Sequence, residues 1–495
     1  MRKARIDPGL LVASAFLSSA AVLQIEILAG RMLAPYVGMS VYSWTAIIST
    51  ILAGLSIGHW LGGRWSSAEP HVAIRRLALI FAAASVSAAA ILLVMRPVAG
   101  FVLARTESAM AANLLLAGLV FLPPALIGGL PAPMLTRLGI ALDRANEGRV
   151  LGRLYSAGAA GAIAGSVATG FWFIPYLGSA VSVALAAAVF GGLALLWFAR
   201  ARWLAGALAA LAVLGAVGTG GLVRWDAQCD RESAYFCLRV VAIEGGAVES
   251  AEVRGLVLDH LVHGVNVRGR PEVLFSPYLA QMHAAARALH PAPRRAFFVG
   301  GGAYTLPRLW AKGLDVTVAE IDPAVTALAA ERLWVDPDAM VIEHRDARRA
   351  LTEVPDGAFD LIVGDAFKDI AAPFHLVTRE FDDLVARKLA PGGLYLMNLV
   401  DRGPDFDAMR AVHATLRSVF PAVAVWRETG QGEGRTTFVF AAGTRPLPPA
   451  EVAAATAEGW RPVPPGALET GDALVLTDDF APLERLLRLA EDSLR

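Results

Sequence analysis

Cysteine is nearly absent and charge is scarce. Cys229 and Cys237 are the only cysteines among 495 residues, which excludes a disulfide-dense scaffold and a cysteine-rich zinc cluster. Charged residues make up 18% of the chain and hydrophobic ones 56%, too apolar for an ordinary soluble protein and too polar for a pure transporter. No phosphate-cradling G-x-x-x-x-G-K-S/T loop, no Ser/His/Asp hydrolase signature and no basic stripe with interleaved aromatics occurs, so nucleic acid is not an expected partner. The first 225 residues are also short of acids. Through Trp225 there are 16 Lys or Arg and 6 Asp or Glu, which leaves 28 and 38 for the rest. The formal net charge of zero is therefore +10 beside −10.

The basic half reads as a membrane domain. Apolar stretches of roughly 20 residues, the length of a spanning helix, recur near 9–33, 41–63, 74–95, 109–131, 154–174, 179–199 and 203–223. The first carries Glu26 and no small-residue cleavage site, so it is expected to be retained. In QIEILAGRMLAP, Gln24 to Pro35, a buried carboxylate or guanidinium would be costly alone, so Glu26 and Arg31 are expected to pair within the bundle. An arginine reaching the headgroups is the other plain reading. His59 is expected at the interface. The glycines of GAAGAIAGSVATG, Gly158 to Gly170, form small-xxx-small rows suited to close helix packing. Pro123, Pro124, Pro131 and Pro133 are expected to break the fourth span.

Orientation draws two arguments in opposite directions. Arginines and lysines fall at alternate connections, with little beyond Arg96 and Arg105 at the others, so seven spans with the N-terminus inside would put the second half outside. Cys229 and Cys237, eight apart just after the last span, could close a disulfide in an oxidising compartment and would remain thiols in the cytosol.

From Tyr235 short alternating runs, YFCLRVVAIEG and AEVRGLVLDHLVHGVNV, imply a small β-subdomain over about 230–268. A helix follows over 277–289. Then apolar strands alternate with helices from FFVG to GGLYLMNLV, with VAVWRETG and TTFVFAAG as two further strands that could pair antiparallel. This rhythm implies a largely parallel sheet with a ligand crevice beyond the strand carboxyl ends, and it resembles a class I AdoMet-dependent transferase more than a dinucleotide dehydrogenase. Gly300, Gly301 and Gly302 allow close backbone approach to a ligand, although Thr305 stands where G-x-G-x-x-G has its third glycine. Three acids close successive strands: Glu320 where ribose hydroxyls would lie, Asp346 at an adenine edge and Asp365 at the reacting end.

The ordered set EILAGRMLAPYVG, SIGHWLGGR, LVLDHLVHG, VGGGAYTLPR, AEIDP, HRDAR and GDAFKDIAAPFHLVTREF resembles the membrane-fused spermidine synthase-like proteins of the polyamine aminopropyltransferase family. The resemblance implies a multi-span α-helical membrane domain (1–225), a small β-subdomain (226–268) and a Rossmann-like aminopropyltransferase domain (269–495). It implies decarboxylated AdoMet, or AdoMet, as co-substrate with no prosthetic group and no metal. Gly300, Gly301, Gly302, Glu320, Asp346, Ala347 and His263 would bind the donor, Asp365 would be the catalytic base, and Tyr278 and Asp369 would meet the amine. Expected partners are a small-molecule amine and the lipid bilayer, with a homodimer left open.

The departures shape the alternatives. The soluble enzymes carry an Asp where this chain has Ala303, and a second Asp where it has Lys368. Losing a carboxylate at 303 removes an attraction for an ammonium, so ordinary AdoMet could be admitted, and a cation at 368 disfavours a diamine in the usual pose. Alternatives to aminopropyl transfer are therefore a methyltransferase acting on a membrane-associated amine or lipid, and a non-catalytic polyamine- or nucleotide-sensing transporter. Because AdoMet-type donors are made in the cytosol, the catalytic domain is expected to face inward despite the charge count.

Overall fold

A computed structural model describes residues 6–106, 108–201, 229–243, 251–366, 372–430, 435–468 and 473–487. The chain forms two compact units, Met1–Cys237 and Leu238–Ala490. The expected span at 203–223 lies outside the described residues.

The first unit holds α1 (Pro8–Val37), α2 (Val41–Trp65), α3 (Pro70–Leu103), α4 (Ala109–Gly129), α5 (Pro131–Leu142), α6 (Glu147–Ala168) and α7 (Ile174–Ala201). Local chemistry marks several starts. Asp7, Ser40 and Ser108 each accept a hydrogen bond from a first-turn N–H, and Pro8, Pro70 and Pro131 begin helices where no N–H is needed. Among the described residues, five helical runs are long and apolar enough to cross a membrane. The last, Arg144–Ala201, has 58 residues, about 87 Å at 1.5 Å per residue, far more than a bilayer core of ~30 Å. It is interrupted at Gly178, whose φ of 75° is a backbone state that side chains disfavour.

Pairings along the helices give their directions. Added Cβ atoms on Gly161 and Gly165 would lie 2.0 Å from the Phe16 carbonyl oxygen and 2.2 Å from that of Ala20, so α1 and α6 run in the same direction with their backbones touching. Gln24 donates to the Ser182 carbonyl at 2.7 Å and Trp197 to Ser14 Oγ at 3.0 Å, which makes α7 antiparallel to α1. Two expectations are corrected. Pro123 and Pro124 lie inside α4, and the break falls at Leu130, just before Pro131. Arg31 is not spent on Glu26, because five residues put the two about 140° apart around a helix. It reaches the segment after Cys229, where β1 (Arg231–Glu232) lies.

The second unit begins with β2 (Cys237–Ala242), β3 (Val253–Leu258) and β4 (Leu261–Val267), antiparallel in the register Leu238↔Leu258 and Val253↔Val267. There follow α8 (Pro277–Leu289), β5 (Arg295–Val299), α9 (Thr305–Trp310), β6 (Asp315–Ala319), α10 (Pro323–Arg332), β7 (Val341–Glu343), α11 (Ala347–Glu353) and β8 (Phe359–Gly364). The chain ends its sheet with α12 (Arg379–Lys388), β9 (Leu389–Arg402), α13 (Asp407–Val419), β10 (Ala422–Glu428), β11 (Arg435–Gly443) and β12 (Trp460–Pro462). Strand order is β12-β10-β11-β9-β8-β5-β6-β7. β5 to β9 are parallel, and β11 runs antiparallel to both β9 and β10. The central strands read as near-continuous apolar runs such as AFFV because helices cover both faces. Chain order reverses between β5 and β8, where an open α/β sheet leaves its ligand crevice.

Candidate functional site

Parallel pairing of β5, β6, β7 and β8 brings their carboxyl ends to one sheet edge. Gly300 to Gly302, Glu320, Asp346 and Asp365 follow those strands in turn. The glycines are required by geometry: Gly300 and Gly302 have φ of 91° and 51°. A Cβ on Gly300 would stand 3.0 Å from the Asp365 carbonyl oxygen, and one on Gly301 would meet the Tyr304 ring at 2.5 Å.

Glu320 ties this loop down. Its Oε2 accepts the Gly301 and Gly302 N–H groups at 2.8 and 3.3 Å, and its Oε1 accepts the Asp322 N–H at 2.9 Å. Burial pushes its carboxyl pKa up, and those three N–H groups oppose the rise without cancelling it. The acid expected at the ribose thus also holds the backbone that a nucleoside would lie against.

Asp365 is partly accessible, and burial pushes its pKa up to about 7 against the opposing hydrogen bond from Tyr278. The Tyr278 hydroxyl, in the first turn of α8, lies 3.3 Å from Asp365 Oδ2. A carboxyl that titrates near neutrality can take a proton from an attacking nucleophile and then release it.

Asp346 is placed differently. Its Oδ1 accepts the Arg349 N–H at 3.0 Å and so caps α11, and its Oδ2 lies 2.8 Å from His375 Nε2. Burial acts to raise its pKa, but the His375 contact and the Arg349 N–H outweigh this and hold it below the usual value. Ala347 is buried in the first turn of α11. His263, on β4, presents its carbonyl toward Gly302, 3.7 Å from where a Cβ would stand. Burial, then nearby His260, pulls the His263 pKa down to about 4, so its ring is neutral at physiological pH. Lys368 and Asp369 lie outside the described residues. Among the described residues no group of three or more His, Cys, Asp or Glu side chains is placed to hold a metal.

Several supporting residues were not singled out from the sequence. Asn266, buried on β4, donates to the carbonyls of Ala303 at 2.7 Å and Leu333 at 3.1 Å, and accepts from Thr305 Oγ1 at 2.9 Å. It pins the end of the glycine loop. Ala303 is itself buried, and a Cβ on Gly264 would stand 2.6 Å from the Ala303 methyl, so position 303 is filled by packing against β4. His375 lies within a recognised motif but only folding brings it to Asp346. Asn398 is buried on β9, and its Oδ1 has no hydrogen-bond partner among the described residues. It lines a small cavity with Val299, Gly364, Ala366, Leu376 and Met397. The signal was a lone amide inside the apolar run LYLMNLV.

A central β5 flanked by β6 and β7 on one side and β8 and β9 on the other, with an antiparallel β11 slotted between β9 and β10, defines the class I AdoMet-dependent transferase fold. No family model matches the chain. It is 30% identical over 339 residues to Polyamine aminopropyltransferase 2 of Streptomyces coelicolor, covering 62% of this chain and 60% of that one. It is 30% identical over 329 residues to a polyamine aminopropyltransferase of Mycobacterium tuberculosis, covering 60% and 62%. A solved probable spermidine synthase from Corynebacterium glutamicum is 21% identical over 49% of this chain and 94% of that one, with a TM-score of 0.45. The chain spans about 60% of the length of the curated relatives it matches. The match to the first is longer than Leu238–Ala490, so it reaches into the helical unit. Over about 60% of their length the chain is thus similar to curated polyamine aminopropyltransferases, the family that its motifs resemble.

Proposed function

We propose that this chain is an integral membrane aminopropyltransferase of spermidine synthase type, moving an aminopropyl group from decarboxylated AdoMet to putrescine or a related amine. The observation that carries the reading is Asp365: a carboxyl with a pKa near 7, beside Tyr278, at the sheet edge that also presents the glycine loop and Glu320. Five membrane-length helical runs among the described residues support the bilayer as its setting.

The donor's sulfonium activates the adjoining carbon for displacement. The amine nitrogen attacks that carbon, the carbon–sulfur bond breaks with its electron pair going to sulfur, and methylthioadenosine leaves. The nitrogen's proton passes to Asp365. A free amine has a pKa of about 10 and is mostly protonated at neutral pH, so Asp365 in its ionised form would first hold the ammonium and then accept the proton as attack proceeds. Glu320 and the Gly300–Gly302 loop would hold the nucleoside, with Asp346 and Ala347 toward adenine, His263 flanking the loop, and Tyr278 and Asp369 toward the amine.

A second reading is methyl transfer from AdoMet to a membrane-associated amine or lipid. It is favoured by Ala303, where an uncharged packed methyl neither attracts a donor ammonium nor repels a donor carboxylate. Purified protein incubated with each donor and a panel of amines separates the two. Methylthioadenosine is expected, S-adenosylhomocysteine would indicate methylation, and neither product together with unchanged behaviour of Asp365→Asn would leave a binding or transport role.

A further inference from the structure

We propose that the segment from Cys229 to Cys237 is a disulfide-closed clasp on the non-cytoplasmic face of the helical unit. This sidedness does not rest on the transfer reading.

The helix directions define two ends of the bundle. Arg31 near the end of α1, the α2 start, the α3–α4 connection and Gly178 share one end, because α1 and α6 run together while α7 beyond Gly178 runs back. Arg64, Arg75 and Arg76 around the α2–α3 connection, Arg144, Arg149 and Arg153 between α5 and α6, and Arg200 at the end of α7 gather at the other. That asymmetry marks the arginine-rich end as cytoplasmic.

The clasp sits at the opposite end. Arg31 donates to the carbonyls of Tyr235 at 2.6 Å and Ser233 at 2.9 Å, and its Nε lies 4.0 Å from Glu232. Glu232 in turn accepts the Ser179 N–H at 2.9 Å and bonds its hydroxyl, capping the helix that restarts after Gly178. These contacts join residues more than fifty positions apart within the helical unit, and they fix where the segment lies without reference to the charge count. A disulfide between Cys229 and Cys237 closes the same loop, a bond that persists in an oxidising compartment and not in the cytosol. Placement, charge asymmetry and the disulfide agree on the side of the clasp.

The test uses the full chain in intact cells. In a Cys229→Ser/Cys237→Ser background, Arg105→Cys, exposed in the α3–α4 connection at the clasp's end, is expected to react with a membrane-impermeant sulfonated maleimide, and Glu69→Cys, at the arginine-rich end, only after lysis. The reverse pattern would overturn the proposal. Should the cysteine-free background fail to accumulate, the wild-type chain decides. Permeant maleimide at harvest is expected to tag neither cysteine until reductant is added, and two thiols free at harvest would overturn it. Turnover by purified protein is indifferent to sidedness, so failure here and failure of the transferase reading are distinguishable.

Discussion

Glycine does opposite work in the two units. In the helical unit Gly161 and Gly165 hold ordinary helical geometry and are needed because the α1 backbone passes where a side chain would be. In the α/β unit Gly300 and Gly302 are needed for their own positive φ, which turns the chain at the end of β5. Polar groups divide similarly. Buried Ser85, Thr169 and Ser182 in the helices bond backbone carbonyls, whereas buried Glu320 and partly buried Asp365 keep carboxyls under strain from desolvation. The lesson is that one unit uses its glycines to let helices touch, whereas the other uses them to turn the chain beside buried carboxyls.

That contrast can be broken experimentally. Asp365→Asn is expected to lower kcat by about 10²- to 10⁴-fold, the usual contribution of a positioned base, while a fluorescence titration shows donor binding retained; unimpaired turnover would remove Asp365 from the chemistry. Gly165→Leu should force α1 and α6 apart and destabilise the helical unit by about 1–3 kcal/mol or more, read as an earlier melting transition in detergent. An unchanged melt would mean that the close approach contributes little. Glu320→Gln weakens charge-assisted bonds to the loop, and a rise of about tenfold in donor KM is expected from a loss of roughly 1.4 kcal/mol, with kcat changed less.

The smallest effects concern pH. Rate should rise with pH through about 7 as Asp365 ionises, and Tyr278→Phe, which removes a hydrogen bond that lowers that pKa, should move the profile upward. Stability should show the inverse. Because the folded pKa is above the ordinary value of 3.8, the stability linked to Asp365 is fully present below about pH 4 and lost as pH rises through about 7. Asp365→Asn is therefore expected to lose less melting temperature between pH 5 and 8 than the wild-type chain. Parallel losses would show that other groups dominate.

Much of the fold was legible because its signals are local. Apolar length announced the helices, and β-α rhythm announced the sheet, including the antiparallel pairing of β10 with β11. Acids after β6, β7 and β8 were legible as a set because a parallel sheet sends successive strand ends to one edge. Asn266, His375 and Asn398 were not, because what each touches depends on strands or loops brought together by folding. The α4 prolines misled because prolines can be accommodated within an apolar helix, whereas sequence alone shows only the missing N–H.

What the sequence determined on its own was the kind of each half: apolar runs of membrane length with arginines at alternate connections, then strands ending in glycine or acid. These follow from periodicity and side-chain chemistry within a few neighbours. Tertiary structure alone decided that Arg31 grips carbonyls about two hundred residues away, that Asp346 pairs with His375, and that burial pushes the Asp365 pKa up to about 7. Burial and long-range contact set these properties, and neither is a property of a residue's own stretch of chain.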